Sequence, residues 1–128
     1  MRYLGIDYGK KRVGIAISDP GGRIAFPHTT LFRGQMSVVT TKIRMILDGE
    51  RISKIIVGLP IGLGGNDTEE TREVRKFADE LKKTTPLPIE FENEMFTSRM
   101  AKSAGVKKER LDASAAAIIL QSYLDKLK

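Results

Sequence analysis

The first third of the chain consists of short runs of strand-forming residues separated by turn signals. Residues 2–8 (RYLGIDY) and 12–18 (RVGIAIS) are such runs, and a three-residue link of hairpin length joins them, so we predict two paired antiparallel strands. The turn signal at residues 19–22 (DPGG) leads into a less regular stretch, residues 23–32, which a proline interrupts. The sequence therefore begins with a predicted meander of three strands.

The rest of the chain alternates between helical and strand patterns. Apolar residues at helical spacing predict helices over residues 36–48 and 67–83. The continuous apolar run at residues 54–59 (KIIVGL) predicts a strand buried on both faces, and residues 89–94 alternate as a short strand does. The predicted order βββαβαβαα is completed by a short helix from Thr97 or Ser98 to Gly105 and a last helix from Asp112 to about Leu127.

This order of elements predicts an α/β fold with a mixed five-stranded sheet. Three consecutive strands followed by alternating helices and strands are typical of a sheet with helices on both faces. The 128 residues fit a single domain, residues 1–128, because domains most often hold roughly 100–150 residues.

The composition, with 41% hydrophobic and 30% charged residues, is ordinary for a soluble globular protein. No stretch approaches the ~20 apolar residues that span a bilayer, so a membrane role is not expected. The absence of cysteine excludes disulfides and thiolate metal sites. Together with an N-terminus that lacks the zones of a secretory signal, it favours a cytoplasmic location.

Basic residues are concentrated at the two ends of the chain, which has a formal charge of +6. Residues 1–33 hold six basic against two acidic residues and residues 97–128 hold seven against three, whereas residues 34–96 hold nine against eleven. If the first strands and the last helix meet in the fold, their side chains make one positive face suited to a polyphosphate backbone. The alternative is a set of scattered, solvated lysines with no nucleic-acid partner.

Three acidic residues are the candidates for catalysis. Asp7 lies late in the first strand inside an apolar run, where a carboxylate needs a metal ion or a lysine beside it; alternatively, it only braces the following turn. Asp112 opens the last helix and continues its apolar stripe, although an aspartate in a first turn is often only a cap. Glu94 ends the last strand, at the sheet edge where ligands collect. Otherwise, Glu94 forms a solvated strand face with Glu90 and Glu92.

Carboxylates that converge near Asp7 would form an oxygen-rich site for Mg²⁺ or Mn²⁺. Two such ions ~3.5–4 Å apart can activate a water and stabilise the leaving oxygen in phosphodiester hydrolysis. His28 is the single histidine of the chain. A histidine-based metal site is therefore excluded, and we expect His28 to be structural or solvent-exposed.

Phosphate contacts are predicted for basic residues rather than for the glycine-rich loop. Residues 61–66 (IGLGGN) lack the Gly-Lys-Ser/Thr ending of a Walker motif, and the acids in the first turn of the next helix would repel an anion. We interpret this loop as a turn followed by a capping box of Asn66 and Glu69. The residues predicted to contact backbone phosphates are Lys10, Lys11, Arg12, Arg99, Lys102, Lys107, Lys108 and Arg110.

Four segments of the chain resemble the signature segments of the YqgF/RuvX family. They are LGIDYGKKRVGIAISD (4–19), KIIVGLPIGLGGN (54–66), ENEMFTS (92–98) and LDASAAAIILQSYL (111–124), and they follow one another in the family's order. The resemblance implies a ribonuclease H-like fold and a nuclease, described in the family both as a candidate Holliday-junction resolvase and as a processor of the 5′ end of the small-subunit ribosomal RNA precursor. It also implies that Asp7, Glu94 and Asp112 form the acidic site.

One departure from the family pattern leaves a second function open. The chain has Asn93-Glu94-Met95 where the family usually has Asp-Glu-Arg. Asn93 can offer an oxygen to a metal ion but no negative charge. Met95 cannot bind a phosphate as an arginine would. We therefore predict a metal-dependent endonuclease for rRNA precursor or branched DNA, acting as a monomer or homodimer. The alternative is a catalytically weak or inactive module that binds ribosomal RNA or the ribosome. A third hypothesis, an ATP-handling domain of the actin and sugar-kinase type, requires a second copy of the fold.

Overall fold

The strands of the computed structural model form a five-stranded sheet in the order β3-β2-β1-β4-β5. The structure describes residues 1–93 and 108–127. The strands are β1 (Tyr3–Tyr8), β2 (Arg12–Ser18), β3 (Ala25–Phe32), β4 (Lys54–Leu59) and β5 (Ile89–Asn93). The helices are α1 (Met36–Gly49), α2 (Glu69–Lys82) and α3 (Lys108–Lys126), and a 3₁₀ turn covers Leu63–Gly65.

The sheet is mixed, as predicted. β1, β2 and β3 form an antiparallel meander, whereas β4 and β5 run parallel to β1 on its other side. The ladder between β2 and β3 is irregular between Ile15 and Ala16, where Pro27 stands opposite Ala16. Because proline has no N–H to donate, it is tolerated in β3, which is an edge strand. The predicted irregularity of the third strand is thus confirmed, but the strand continues through Pro27 and is not interrupted.

Helices cover both faces of the sheet, which confirms the predicted layers. On one face, Ile6 and Val57 pack with Ile43 of α1 and Phe77 of α2 in one apolar cluster. On the opposite face, Ile56 packs with Leu120 of α3 in a second cluster. β4 supplies side chains to both clusters, so its continuous apolar run is buried on both faces, as predicted.

Two predicted helix starts are wrong. Helix α2 begins at Glu69, after an N-cap at Thr68 that forms a capping box with Thr71; the predicted box of Asn66 and Glu69 does not form. Buried Thr71 also donates its hydroxyl to the carbonyl of Pro60, and this contact ties the first turn of the helix to the end of β4. Glu69 and Glu70 lie in the first turn, as predicted, whereas Asp67, which was also predicted there, precedes the N-cap.

The last helix begins at Lys108, four residues before the predicted start at Asp112. The segment KERL at residues 108–111 consists of good helix formers, so the helix continues upstream through it. Asp112 therefore does not open this helix. The short helix predicted to end at Gly105 lies outside the described residues. Within the part of the chain that the structure describes, none of the helices has the length and apolar character needed to cross a membrane.

Candidate active site

Helix α3 lies directly against strand β1 because β1 has a glycine at the contact. A Cβ atom at Gly5 would stand 2.8 Å from the Cβ of Leu120 and 3.1 Å from the carbonyl oxygen of Ala116. Nearer the start of β1, the rings of Tyr3 and Tyr123 lie with their centroids 6.0 Å apart. The helix and the strand therefore run in opposite directions, and the N-terminal half of α3 lies toward the end of β1.

This arrangement relates the backbone positions of Asp7 and Asp112. Asp7 lies two residues beyond Gly5, about 6.6 Å further along the strand. Asp112 lies four residues before Ala116 and eight before Leu120, about 6–12 Å further along the helix axis in the same direction. Both backbones thus lie on the same side of the Gly5 contact, toward the end of β1. Asp7 is half-buried, and because side chains alternate along a strand, it lies on the same sheet face as Gly5.

The remaining predicted site residues are only partly within the described chain. Glu94 follows directly after the last residue of β5 but lies outside the described residues, as do Arg99, Lys102 and Lys107. Lys108 and Arg110 belong to the first turn of α3. Among the side chains that the structure describes, which include neither Glu94 nor Asp112, no three acidic or histidine residues form a possible metal-binding group. His28 is exposed, in agreement with its prediction.

The turn between β1 and β2 carries the exposed residues Lys10 and Lys11 and is closed by a bond from the N–H of Gly9 to the carbonyl of Arg12, 2.9 Å long. Arg33 braces this turn. Its guanidinium donates to the carbonyl of Gly9 over 3.1 Å, and its backbone N–H donates to the carbonyl of Lys11 over 2.9 Å. Arg33 is not among the residues predicted from sequence, where nothing sets it apart from other arginines.

Arg33 is itself held by an aromatic side chain of the core. Its guanidinium carbon lies 4.4 Å from the centroid of the Tyr8 ring, and that ring stacks on Phe77 of α2 with centroids 4.2 Å apart. The lysine-bearing turn is therefore connected through Arg33 to the packed interior. Lys10 also forms an exposed ion pair with Glu70, with a nitrogen–oxygen distance of 3.5 Å.

Glu92 of β5 is buried, so the interpretation of Glu90, Glu92 and Glu94 as an exposed strand face is wrong for Glu92. Glu92 is 5% exposed and accepts hydrogen bonds from Ser122 and Lys126, each 2.7 Å long. Glu90 accepts a hydrogen bond from Tyr123. We call these contacts between β5 and α3 the β5–α3 clamp; they hold the strand that immediately precedes Glu94 against the helix that contains Asp112.

Glu90 gives the β5–α3 clamp a pH dependence. The hydrogen bond from Tyr123 and the ammonium of Lys54, 3.0 Å away, hold the pKa of Glu90 below its usual range. Because the pKa is lower in the folded state, the contribution of Glu90 to stability is full above the unfolded pKa of about 4.3 and is lost as the pH falls through the folded pKa. Glu90 is half exposed, so solvent screens the effect and keeps it small.

We therefore expect Glu90→Gln to reduce the free energy of unfolding near pH 7 and to have almost no effect near pH 3. Urea unfolding of the variant and the wild type at both pH values measures the difference. Glu80→Gln, which removes an exposed ion pair with Lys83, is the matched control and should change stability less. An equal loss for Glu90→Gln at both pH values would show that the charge of Glu90 contributes nothing.

Comparisons with known proteins identify the family of the chain. A family model described as RuvX, Holliday junction resolvase, matches residues 1–126. A protein of Maridesulfovibrio salexigens named "Putative pre-16S rRNA nuclease" is 40% identical over 132 residues, which cover 97% of this chain and 98% of that protein.

Two solved structures resemble the whole chain. One is Thermus thermophilus RuvC in complex with a Holliday junction substrate, with a TM-score of 0.63, 14% identity and coverage of 99% of this chain and 96% of that chain. The other is the fowlpox virus resolvase with Holliday junction DNA, with a TM-score of 0.63, 12% identity and coverage of 99% of both chains. At these identities the likeness concerns the fold, which is ribonuclease H-like, as predicted.

Proposed function

Because the chain belongs to the RuvX family of Holliday junction resolvases, we propose that it is a metal-dependent endonuclease acting on structured nucleic acid. The proposed substrates are the precursor of small-subunit ribosomal RNA, as the name of its Maridesulfovibrio relative suggests, and branched DNA. We further propose that residues 1–128 act as one domain in the cytoplasm, the compartment that a chain without cysteine fits.

The proposed catalytic residues are Asp7, Glu94 and Asp112. The observation that carries the proposal is the close approach of α3 to β1 at Gly5. The helix and the strand run in opposite directions, so the end of β1 with Asp7 and the start of α3 with Asp112 lie toward the same end of the sheet. This arrangement supports a meeting of Asp7 with Asp112. The β5–α3 clamp supports the participation of Glu94, because it fixes the strand that leads to this residue.

Carboxylate oxygens are the ligands that Mg²⁺ and Mn²⁺ prefer, so the three acids fit a divalent cation. When bound, the cation would supply a nucleophilic water and neutralise charge on the phosphate. The role of the chain is to hold three acidic groups at one end of the sheet and to align the phosphodiester there. An aspartate on a central strand and another on a helix packed against that strand are both on rigid elements, which favours such alignment.

The proposed contacts to backbone phosphates are made by Lys10, Lys11, Arg12, Arg99, Lys102, Lys107, Lys108 and Arg110. The β1–β2 turn begins two residues after Asp7, and the first turn of α3 precedes Asp112, so both basic segments flank the proposed acidic site. Helix α3 packs on β1, β2 and β3. The first strands and the last helix therefore meet, which is the condition for their basic side chains to form one positive face. Binding through these residues should weaken steeply as salt is raised.

A second function, binding of ribosomal RNA without cleavage, is favoured by the residues around Glu94. Asn93 ends β5, and an amide there adds no negative charge to a cation site. In this case the basic segments would dock the chain on ribosomal RNA or a pre-ribosomal particle.

Cleavage assays separate the two functions. We expect the purified chain to cut a 5′-extended small-subunit rRNA precursor or a four-way DNA junction in Mg²⁺ or Mn²⁺, and EDTA to stop the reaction. Salt-sensitive binding with no product at any metal concentration would instead establish the binding module. The mass in solution distinguishes the substrates further, because symmetric cutting of a junction requires a two-fold dimer, whereas trimming of RNA does not.

A further inference from the structure

Phe32, the last residue of β3, is the most exposed aromatic residue in the described chain. It is 78% exposed, compared with 49% for Phe26 near the other end of the same strand. β3 is the edge strand of the sheet, so solvent reaches the side of Phe32 that faces away from β2. A phenylalanine exposed to water on an edge strand adds little to folding, because its apolar surface is not buried.

A cationic side chain lies beside the Phe32 ring. Arg12, the first residue of β2, is the register partner of Phe32 in the antiparallel pair. Side chains of such partners point to the same face of a sheet, and the guanidinium carbon of Arg12 lies 5.8 Å from the ring centroid. The pair therefore presents an aromatic surface next to a positive charge.

The chain around this pair is fixed in place. Arg33 follows Phe32, and its backbone N–H donates to the carbonyl of Lys11, the residue before Arg12, over 2.9 Å. The guanidinium of Arg33 reaches across to the carbonyl of Gly9 over 3.1 Å. Phe32, Arg12 and the two lysines of the β1–β2 turn thus belong to one rigid surface, and binding to it requires little ordering of the backbone.

This surface lies close to the proposed acidic site. Asp7 pairs with Gly14 of β2, and Gly14 pairs with Thr30 of β3, so these three residues form one row across the sheet. Phe32 lies two residues beyond Thr30 along β3. With strands about 4.8 Å apart and residues about 3.3 Å apart along a strand, the backbones of Phe32 and Asp7 are separated by about 12 Å.

We propose that Phe32 and Arg12 form a stacking site for an unpaired nucleobase of the substrate, beside the phosphate-binding lysines of the β1–β2 turn. Every nucleobase offers a π-face to an aromatic ring, and arginine adds a cation for the base or its phosphate. The ligand is therefore a single-stranded segment of RNA or DNA, as found at a precursor end or an opened junction, rather than a closed duplex. The inference rests on the proposed function, because it assumes a nucleic-acid substrate.

The absence of tryptophan from the chain allows a direct test. Phe32→Trp introduces a single tryptophan, whose fluorescence should be quenched when a ten-nucleotide single-stranded RNA or DNA binds, and much less so when a blunt duplex binds. Phe26→Trp, on the same strand, is the matched control and should show little quenching. Running RNA and DNA oligonucleotides in parallel identifies which of the two the stacking site prefers.

Affinity provides the second measurement. Phe32→Leu should weaken binding of the single strand by about 5- to 30-fold and leave duplex binding within about 2-fold, whereas Phe26→Leu should change neither. The stacking site would be overturned if Phe32→Leu bound the single strand as tightly as the wild type and Phe32→Trp showed no quenching. The proposed nuclease would still stand in that case if the wild type cleaved its substrate. Quenching by a protein that cleaves nothing would support the stacking site and reject the nuclease. Failure of the wild type to bind either form would overturn both.

Discussion

Asp7→Asn is expected to slow phosphodiester cleavage at least about 1000-fold, because a carboxylate ligand that helps a cation to stabilise the transition state contributes several kcal/mol. The amide is similar in size to the carboxylate, so the fold should be preserved. Affinity for nucleic acid should remain within about 2-fold of wild type or rise slightly, since one negative charge near the phosphate is removed. Single-turnover cleavage and equilibrium binding, measured on the same substrate, report the two effects separately.

The control for this prediction is Asp48→Asn, an exposed aspartate of α1, which packs on the other face of the sheet. It removes the same charge from the chain and should leave the cleavage rate unchanged. Equal cleavage by Asp7→Asn and the wild type, in preparations free of contaminating nuclease, would exclude Asp7 from the site.

Gly5→Ala is the second substitution with a large expected effect. The new Cβ would stand 2.8 Å from the Cβ of Leu120, a contact that no side-chain rotation relieves, so α3 must move away from β1. We expect a loss of about 1–3 kcal/mol in the free energy of unfolding. The cleavage rate of the folded protein should also fall, because the shift changes the distance between the elements that carry Asp7 and Asp112. Urea unfolding and cleavage under conditions where the variant stays folded measure the two losses.

Gly34→Ala is the matched control, because a Cβ at Gly34 meets no atom within 4 Å. It should leave stability and cleavage near wild type. If Gly5→Ala lost stability but kept the full cleavage rate, the spacing between α3 and β1 would not matter for the reaction.

The strands of this fold could be predicted because their signals are local. A few neighbouring residues determine each of these features: the hairpin of β1 and β2, the buried run of β4 and the irregularity at Pro27. The mixed sheet then follows from the order of elements along the chain. Helix starts were less predictable, since Asn66 and Thr68 are both suitable caps; the capping box of Thr68 with Thr71 and the contact of Thr71 with Pro60 favour Thr68.

The contacts that organise the candidate site depend on residues far apart in sequence. Glu92 is buried because α3 supplies Ser122 and Lys126, about thirty positions later, and no local pattern distinguishes it from a solvated glutamate. Arg33 is likewise selected by its distance to Tyr8 and Gly9. The direction of α3 across β1, on which the relation of Asp7 to Asp112 depends, follows from the packing at Gly5 rather than from the spacing of residues within the helix.

The most direct test is a crystal structure of the full chain in Mn²⁺ with anomalous diffraction measured at the manganese edge. We predict an anomalous peak coordinated by carboxylate oxygens of Asp7 and Asp112, with Glu94 beside them, and loss of that peak in Asp7→Asn. Carboxylates of Asp7 and Asp112 that point into separate regions of solvent, with no manganese between them, would contradict the proposed site.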